Sequence, residues 1–282
     1  MPTLLLFNNK KFNLIGVDNN YKVLKSIKQP NNLQLEKSIK KLLVSKIKNK
    51  SFELSTKIKK SDIYIICVPT PHKIIKKIGK PDLRILFSVI KKIKKIIKNN
   101  DIIIIESTIP VGTINLINNI LQYKKNIKIN IGYCPERVLP GNILKELIYN
   151  NRIVGGINLE SAKHIKEIYK SFSKGEINIT DSKTAEMSKL IENAYRDVNI
   201  AFSNEISMIA KRKNVNINNV IKLANKHPRV NILKPGIGVG GHCIPVDPWF
   251  LIYDNIKETK LLQLSRKIND DTPDLIVKDI LF

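Results

Sequence analysis

One short stretch of the sequence combines a single thiol with a nearby carboxylate. In GIGVGGHCIPVDPWF, residues 236–250, four glycines lead through His242 to Cys243, and Asp247 follows four residues later. Glycines let a substrate come close and leave backbone N–H groups accessible to anions. A reactive thiol needs such access together with a lowered pKa. We therefore predict that Cys243 is a covalent catalyst.

The other two cysteines offer alternatives to this assignment, because a free thiol is most often a buried structural group. Cys67 lies within an apolar run and is expected in the core, whereas Cys134, just before Pro135-Glu136-Arg137, is the rival nucleophile. An odd number of cysteines without paired spacing argues against a disulfide framework. With four His and no CxxC, the chain is also expected to hold no metal site.

A second candidate group is polar and helical in its spacing. Lys189, Asn193 and Arg196 are separated by four and three residues, which places all three on one face of a helix. An ammonium, an amide and a guanidinium aligned in this way could orient an anionic substrate and stabilise an oxyanion. The alternative is a solvated polar face, but the flanking Ala, Met, Ile and Phe indicate a helix packed on several sides.

The elements that must position these groups fall into two domains. Continuously apolar, β-branched runs predict strands buried on both faces of a parallel sheet, at 12–17, 62–68, 101–106, 126–133 and 176–180. Helical patterns are found at 82–98, 158–172, 184–214, 216–226 and 258–280, the last interrupted near Pro273. We predict an α/β, Rossmann-like, doubly wound domain over residues 1–180. A helical domain over 181–282 follows it through one long helix.

The ends of three predicted strands carry distinctive residues. Asp18 ends the first run, Thr70 lies between two prolines after the second, and Thr108 follows the third. An acidic residue at such a position is placed to accept hydrogen bonds from a ribose diol, which favours a dinucleotide site. No GxGxxG precedes Asp18, because it would fall upstream of Met1. We therefore expect that the first strand and the phosphate loop are missing from the chain.

The formal charge of +25 does not by itself predict a nucleic-acid function. Only seven of the 49 basic residues are Arg, and the Lys residues are spread among Ile and Asn rather than gathered in a stripe. No apolar run reaches the roughly 20 residues of a membrane helix, and LLLF at 4–7 is too short for a signal peptide. We expect a cytoplasmic protein with no membrane or specific nucleic-acid partner.

Several stretches of the chain, in order, resemble the UDP-glucose/GDP-mannose dehydrogenase family. They are IGVD (15–18), VPTP (68–71), ESTIPVGT (106–113), YCPERVLPG (133–141), TAEMSKLIENAYRDVNIAFSNE (184–205), HPRVNILKPGIGVGGHCIPVDPWF (227–250) and SRKIND (265–270). The segments PERVLPG, HPRVN and HCIPVDPWF point to the mannosamine branch of that family. Pro140 agrees with that branch, whereas Ile237 stands where the family usually has Pro.

The resemblance implies a two-step oxidation of a sugar C6 alcohol to a carboxylate with two molecules of NAD, for surface polysaccharide synthesis. Cys243 matches the nucleophile, which forms a thiohemiacetal and then a thioester. Lys189 matches a proton donor and acceptor that stabilises the oxyanion with Asn193, and Asp247 matches a carboxylate that assists proton movement. Thr108 and Glu136 match positions near the nicotinamide and the hydrolytic water.

The resemblance also implies binding residues and partners. NAD contacts match Asp18, Thr70 and Thr108. Substrate contacts match Arg137, Val138, Lys189, Asn193, Arg196, His227, Arg229 and Gly240. Family members carry a C-terminal domain that binds the nucleotide, which we expect to be absent here, and they form a dimer or higher homo-oligomer on the long helix. Another nucleotide-sugar 6-dehydrogenase, or an inactive truncated remnant, is the alternative interpretation.

Overall fold

The structure, a computed structural model, describes residues 1–30, 33–75, 78–123 and 127–281. It divides the chain into two compact units. The first unit comprises residues 1–69, 84–107 and 112–185, and the second comprises residues 70–83, 108–111 and 186–282. None of the helices in the described ranges combines the length and the apolar character that crossing a membrane requires.

The elements alternate along the first two thirds of the chain and become helical afterwards. The strands are β1 (Ile15–Val17), β2 (Glu53–Ser55), β3 (Ile63–Ile66), β4 (His72–Ile75), β5 (Ile78–Pro81), β6 (Ile102–Ile105), β7 (Asn130–Tyr133), β8 (Arg152–Gly156) and β9 (Ile177–Asp181). The helices are α1 (Pro2–Leu6), α2 (Tyr21–Lys28), α3 (Lys37–Lys48), α4 (Arg84–Lys94), α5 (Thr113–Gln122), α6 (Ile143–Tyr149), α7 (Leu159–Tyr169), α8 (Ser182–Arg212), α9 (Ile217–Ala224), α10 (Asp247–Ile252) and α11 (Lys260–Leu281).

The first unit is built on a five-stranded sheet in the order β3-β6-β7-β8-β9, which confirms the predicted Rossmann-like α/β class. Neighbouring strands are parallel except β7 and β8, which are antiparallel. A separate parallel pair joins β1 to β2. Each of the five predicted apolar runs contains a strand, and residue 126 of the fourth run lies outside the described residues.

The core of the first unit explains why the run at 101–106 is almost wholly apolar. Ile103, Ile104 and Ile105 of β6 are fully buried, because helices cover the sheet. Just after β6, the buried Glu106 accepts hydrogen bonds from the hydroxyls of Tyr169 (2.6 Å) and Thr3 (3.3 Å). These contacts fix the strand end from which the chain continues to Thr108.

The second unit is organised by α8, which is 31 residues long. Helices α9, α10 and α11 and the antiparallel β4–β5 hairpin belong to the same unit. Gly79 of the hairpin lies directly against Trp249 of α10, since a Cβ on Gly79 would be 2.4 Å from the indole Cγ. The sequence did not predict this hairpin, because its strands contain Lys, Gly and Pro, which are rare in buried strands.

Three sequence-based expectations are wrong in detail. Cys67 is an exposed residue just after β3 rather than a core residue, although its thiol donates to Oε2 of the buried Glu106 at 3.0 Å. Asp82 precedes α4 instead of opening it, and its N–H donates to the carbonyl of Pro71. Helix α11 continues through Pro273 without interruption. A proline removes one N–H donor from a helix and does not prevent its continuation when the surrounding structure compensates.

Candidate active site

Two of the predicted catalytic side chains meet in the second unit. The amide Nδ2 of Asn193 donates a hydrogen bond of 2.6 Å to Oδ2 of Asp247, and both residues are buried. Asn193 lies on α8 and Asp247 is the first residue of α10. A buried carboxylate requires such a donor, because removing it from water without a partner is unfavourable. The contact therefore fixes the start of α10 against the long helix.

Cys243 is attached to this contact through the backbone. Its carbonyl oxygen accepts the N–H of Asp247 at 2.9 Å and that of Val246 at 3.1 Å, which closes a tight turn between the thiol and the carboxylate. Pro248 at the start of α10 supplies the backbone angle that a first helical turn needs. The Cys243 residue is exposed. The turn thus holds the backbone of the cysteine while leaving its thiol accessible to a substrate.

Lys189 lies one turn before Asn193 on the same face of α8 and is half-buried. Burial raises the pKa of Asp247, while the hydrogen bond from Asn193 and the positive charge of Lys189 act in the opposite direction. The net pKa shift is upward from 3.8. A carboxyl group with a raised pKa, next to an amide and near an ammonium, can accept and return protons closer to neutral pH.

The polar face of α8 continues beyond Asn193 and is buried as well. Asp197 forms an ion pair with Arg266 of α11 at 2.5 Å and accepts the amide of Asn269 at 2.8 Å. Burial raises the pKa of Asp197, and the Arg266 charge opposes that effect. Arg266 also contacts Asp270. Sequence reasoning missed this network, although the i,i+4 series from Lys189 through Asn193 extends to Asp197.

Four of the predicted substrate-binding residues are exposed in the same unit, namely Arg196, His227, Arg229 and Gly240. Arg196 follows Asn193 by three residues on α8, so its guanidinium group extends from a neighbouring position on the helix. The N–H of Arg229 donates to Nδ1 of His227 at 3.3 Å within the segment after α9. The structure leaves the guanidinium groups of Arg196 and Arg229 accessible to an anionic ligand.

Thr70 and Thr108, predicted for the cofactor, are in contact in the second unit. The Thr70 hydroxyl donates to the carbonyl oxygen of Thr108 at 2.6 Å. In the first unit, Asp18 follows β1 and its Oδ1 accepts the N–H of Asn20 at 2.8 Å. Asp18 thus lies at the carboxyl end of a parallel strand, the edge at which open α/β sheets bind ligands.

The remaining predicted residues, Glu136, Arg137 and Val138, follow β7 in the first unit and are half-buried. Nη1 of Arg137 donates to the carbonyl of Asn151 at 3.3 Å. The Arg137 carbonyl accepts the amide of Asn150 at 3.1 Å. This backbone and side-chain anchoring fixes the loop that carries all three.

Cys134, the rival nucleophile, is poorly suited to that role. It has no exposed surface, and burial raises the pKa of its thiol to about 12. A thiol that stays protonated and has no access to solvent is a weak nucleophile. Among the two candidates that the sequence favoured, the structure therefore supports Cys243.

The glycine segment, residues 236–241, has the spacing GxGxxG, yet its surroundings differ from those of a dinucleotide-binding turn. The element immediately before it is helix α9 rather than a strand, and the next helix begins only at Asp247. A phosphate turn needs a strand before it and a helix directly after it. The segment therefore does not have the surroundings of a phosphate-binding turn.

Comparison with known proteins identifies the class of protein to which this fold and site belong. Residues 1–173 match the NAD binding domain of the UDP-glucose/GDP-mannose dehydrogenase family, and residues 183–271 match its central domain. The chain belongs to this family.

Among its relatives are UDP-N-acetyl-D-mannosamine dehydrogenases. The enzyme of Methanocaldococcus jannaschii is 48% identical over 99% of this chain, and that of Escherichia coli is 38% identical over 99%. The chain spans 65% and 69% of those two relatives. A solved structure of the Pyrococcus horikoshii UDP-D-ManNAc dehydrogenase is 37% identical with a TM-score of 0.91, covering 98% of this chain and 67% of that one. The structure of a Staphylococcus aureus UDP-N-acetyl-mannosamine dehydrogenase has 38% sequence identity and a TM-score of 0.88. The match covers 98% of this chain and 67% of that one.

Proposed function

We propose that the protein is an NAD-dependent UDP-N-acetyl-D-mannosamine 6-dehydrogenase that forms UDP-N-acetyl-D-mannosaminuronate in the cytoplasm, for surface polysaccharide synthesis. The relatives named UDP-N-acetyl-D-mannosamine dehydrogenase support this substrate. The observation that carries the proposal is the Asn193–Asp247 contact adjoining the exposed Cys243. It brings the Asn193 amide of α8 to a titratable carboxyl group that lies one chain turn after Cys243.

NAD would accept one hydride in each of the two oxidations. Asp18 fits its ribose hydroxyls, since a carboxylate accepts hydrogen bonds from a diol. Thr70 and Thr108, joined by their hydrogen bond, would complete the contacts assigned to the cofactor.

Cys243 would trap the aldehyde that the first oxidation produces. Its thiolate forms a C–S bond to the carbonyl carbon, and the carbonyl oxygen becomes an oxyanion that takes up a proton as the thiohemiacetal forms. Lys189 supplies that proton and removes it again before the second oxidation. Asn193 stabilises the oxyanion with the second N–H of its amide, because the first is committed to Asp247.

The second oxidation leaves a thioester on Cys243. Water attacks the acyl carbon, the C–S bond breaks, and the thiolate departs while the sugar carboxylate forms. Glu136 would act on the hydrolytic water, and Asp247 would carry the protons that enter and leave near the sulfur. Arg137, Val138, Arg196, His227, Arg229 and Gly240 would hold the UDP-sugar, whose phosphates suit the cationic side chains among them.

A substrate panel tests the proposal. Purified protein is given NAD with UDP-N-acetyl-D-mannosamine, UDP-N-acetylglucosamine, UDP-glucose or GDP-mannose, and NADH formation is followed by absorbance. We expect the first sugar to react fastest and to yield two NADH per uronate. Cys243→Ser is the matched control and should form no uronate. Faster turnover of UDP-glucose, or full activity of the serine variant, would reject the assignment.

We further propose that the protein self-associates through α8, as the family resemblance implies. Met187, Ile191 and Tyr195 lie at i, i+4 and i+8 and are each roughly half exposed or more, as is Phe202. Such a row of large apolar side chains is typical of an interaction surface. Sedimentation velocity should show a dimer or larger species that Tyr195→Glu dissociates, and a monomeric wild type would contradict this.

A further inference from the structure

The glycine segment is anchored at its first residue by a side chain of α8. The N–H of Gly236 donates to Oδ1 of Asn204 at 2.8 Å. Asn204 is buried, and it lies three turns beyond Asn193 on α8. An amide buried at this depth is an unusual component of a helix face unless it serves a partner. Here the side-chain oxygen of Asn204 accepts a hydrogen bond from the backbone of the segment that leads to Cys243.

A second anchor lies at Gly238, against α11. Gly238 has φ +101°, and a Cβ on it would lie 2.6 Å from the carbonyl oxygen of Asn269 and 3.2 Å from Cδ of Pro273. In an uninterrupted helix, that carbonyl would accept the N–H of residue 273. Proline has no N–H, so the oxygen remains available on the side that Gly238 faces. The proline ring supplies the other wall of the same contact.

Asn269 itself is held in place from α8. Its Nδ2 donates to the carbonyl oxygen and to Oδ1 of Asp197, at 2.9 and 2.8 Å. The surface that receives Gly238 is therefore fixed by the same helix that holds Gly236 through Asn204 and Asp247 through Asn193. The segment from Gly236 to Asp247 is anchored near its start and at its end, with the cysteine between the anchors.

We infer that Asn204 and Pro273 are positioning residues for Cys243. Asn204 fixes the entry of the glycine segment, and Pro273 keeps the Asn269 carbonyl and its own ring available to Gly238. The catalytic value of positioning Cys243 rests on the proposed function. The positioning itself can be measured without any enzyme activity. A protein without dehydrogenase activity would refute the proposed function and leave these tests intact.

Hydrogen exchange with mass spectrometry tests the role of Asn204. In Asn204→Leu, which removes the acceptor, peptides covering residues 236–243 should exchange about fivefold faster, the factor expected for one lost hydrogen bond. In Asn204→Asp, which keeps an oxygen in place, protection of these peptides should return toward the wild-type level. Equal protection loss in both variants, or a loss spread equally over α8 and α10, would overturn the inference.

Pro273→Ala separates positioning from stability. The restored N–H can take the Asn269 carbonyl, so α11 should become no less stable and the Tm should not fall. Exchange of residues 236–243 should nevertheless be faster than in wild type, because Gly238 loses its contact with the proline ring and the Asn269 carbonyl turns to the new N–H. Wild-type exchange in this segment would overturn the role of Pro273, and so would a lowered Tm with exchange accelerated throughout the protein.

Discussion

Asn193 and Asp247, which are 54 residues apart in sequence, share a buried hydrogen bond of 2.6 Å. This bond couples the long helix to the helix that begins four residues after the exposed Cys243. The bond also opposes the rise in the pKa of Asp247 that burial causes, because the amide donor stabilises the ionised carboxylate. The candidate site therefore depends on a tertiary contact.

Removal of the amide tests that dependence. In Asn193→Ala, Asp247 keeps its buried position without its donor, so we expect unfolding free energy to fall by about 1–3 kcal/mol. The rate of NADH formation should fall by about 100-fold, since an oxyanion donor is also lost. Urea denaturation and initial rates measure the two effects. Asn199→Ala is the matched control, because the Asn199 amide bonds the carbonyl of Tyr195 in its own helix at an exposed position. Equal effects of the two substitutions would contradict the role of Asn193.

The pH dependence of stability should distinguish two aspartates. Because burial raises the pKa of Asp247, the folded protein binds its proton more tightly than the unfolded chain does. Its contribution to stability is therefore present at low pH and is lost as the pH rises through the folded pKa. Asp247→Asn removes that loss, so the stability of the variant relative to wild type should increase with pH.

The contribution of Asp181 to stability should depend on pH in the opposite direction. Hydrogen bonds from Thr184 lower the pKa of Asp181, so its contribution is present above the unfolded pKa and is lost as the pH falls. Asp181→Asn should therefore become less stable relative to wild type as the pH rises from acid toward neutral. Urea titrations at a series of pH values measure both differences. Parallel trends for the two variants would contradict these assignments.

The thiols of Cys134 and Cys243 should differ in reactivity. Iodoacetamide at mildly alkaline pH should alkylate the exposed Cys243, whereas Cys134 should remain unmodified because its thiol is fully buried with a pKa of about 12. Peptide mass spectrometry quantifies each site. Cys134 should react only after denaturation in urea, which provides an internal control. Comparable rates at Cys134 and Cys243 in the native protein would show that the burial is wrong.

The buried ion pair between Asp197 and Arg266 should contribute more to the free energy of unfolding than the exposed pair between the same two helices. Arg266→Met leaves Asp197 buried without its cation, which we expect to cost about 3–5 kcal/mol of unfolding free energy. The matched control is Lys211→Met, because Lys211 pairs with Asp279 across the same two helices at the surface, where a pair is worth about 0–1 kcal/mol. The double variant Asp197→Asn/Arg266→Met should recover part of the loss. Equal losses for the two single variants would contradict the structure.

The sequence predicted five strands from their apolar, β-branched residues. Burial on both faces is correct for β6 and β7 but wrong for β1 and β9, which are partly exposed because they lie at sheet edges. The sequence did not predict β8, whose run ends in two glycines, or β2, which is three residues long. Both form because neighbouring strands supply hydrogen bonds that local propensity cannot reveal. Pro273 gave a misleading signal, since tertiary contacts outweigh the local cost of a proline.

For the candidate site, sequence could relate residues only over short separations. The i,i+4 spacing of Lys189 and Asn193 and the four-residue step from Cys243 to Asp247 were both informative. The Asn193–Asp247 bond connects these two local patterns, and nothing in either one specifies the other. Asp197 continued the helical series but was missed, because its partner Arg266 lies in a different helix.

Helix α8 contacts Asp247, the Arg266–Asn269 pair and Gly236 through Asn193, Asp197 and Asn204 respectively. Each residue of an α-helix turns the chain by about 100°. Insertion of one residue between Asn193 and Asp197 would therefore rotate the first of these side chains away from the other two. The spacing of these residues along α8 therefore sets the positions of three separate segments of the unit. Insertions or deletions within α8 should destabilise the protein far more than substitutions on its exposed face.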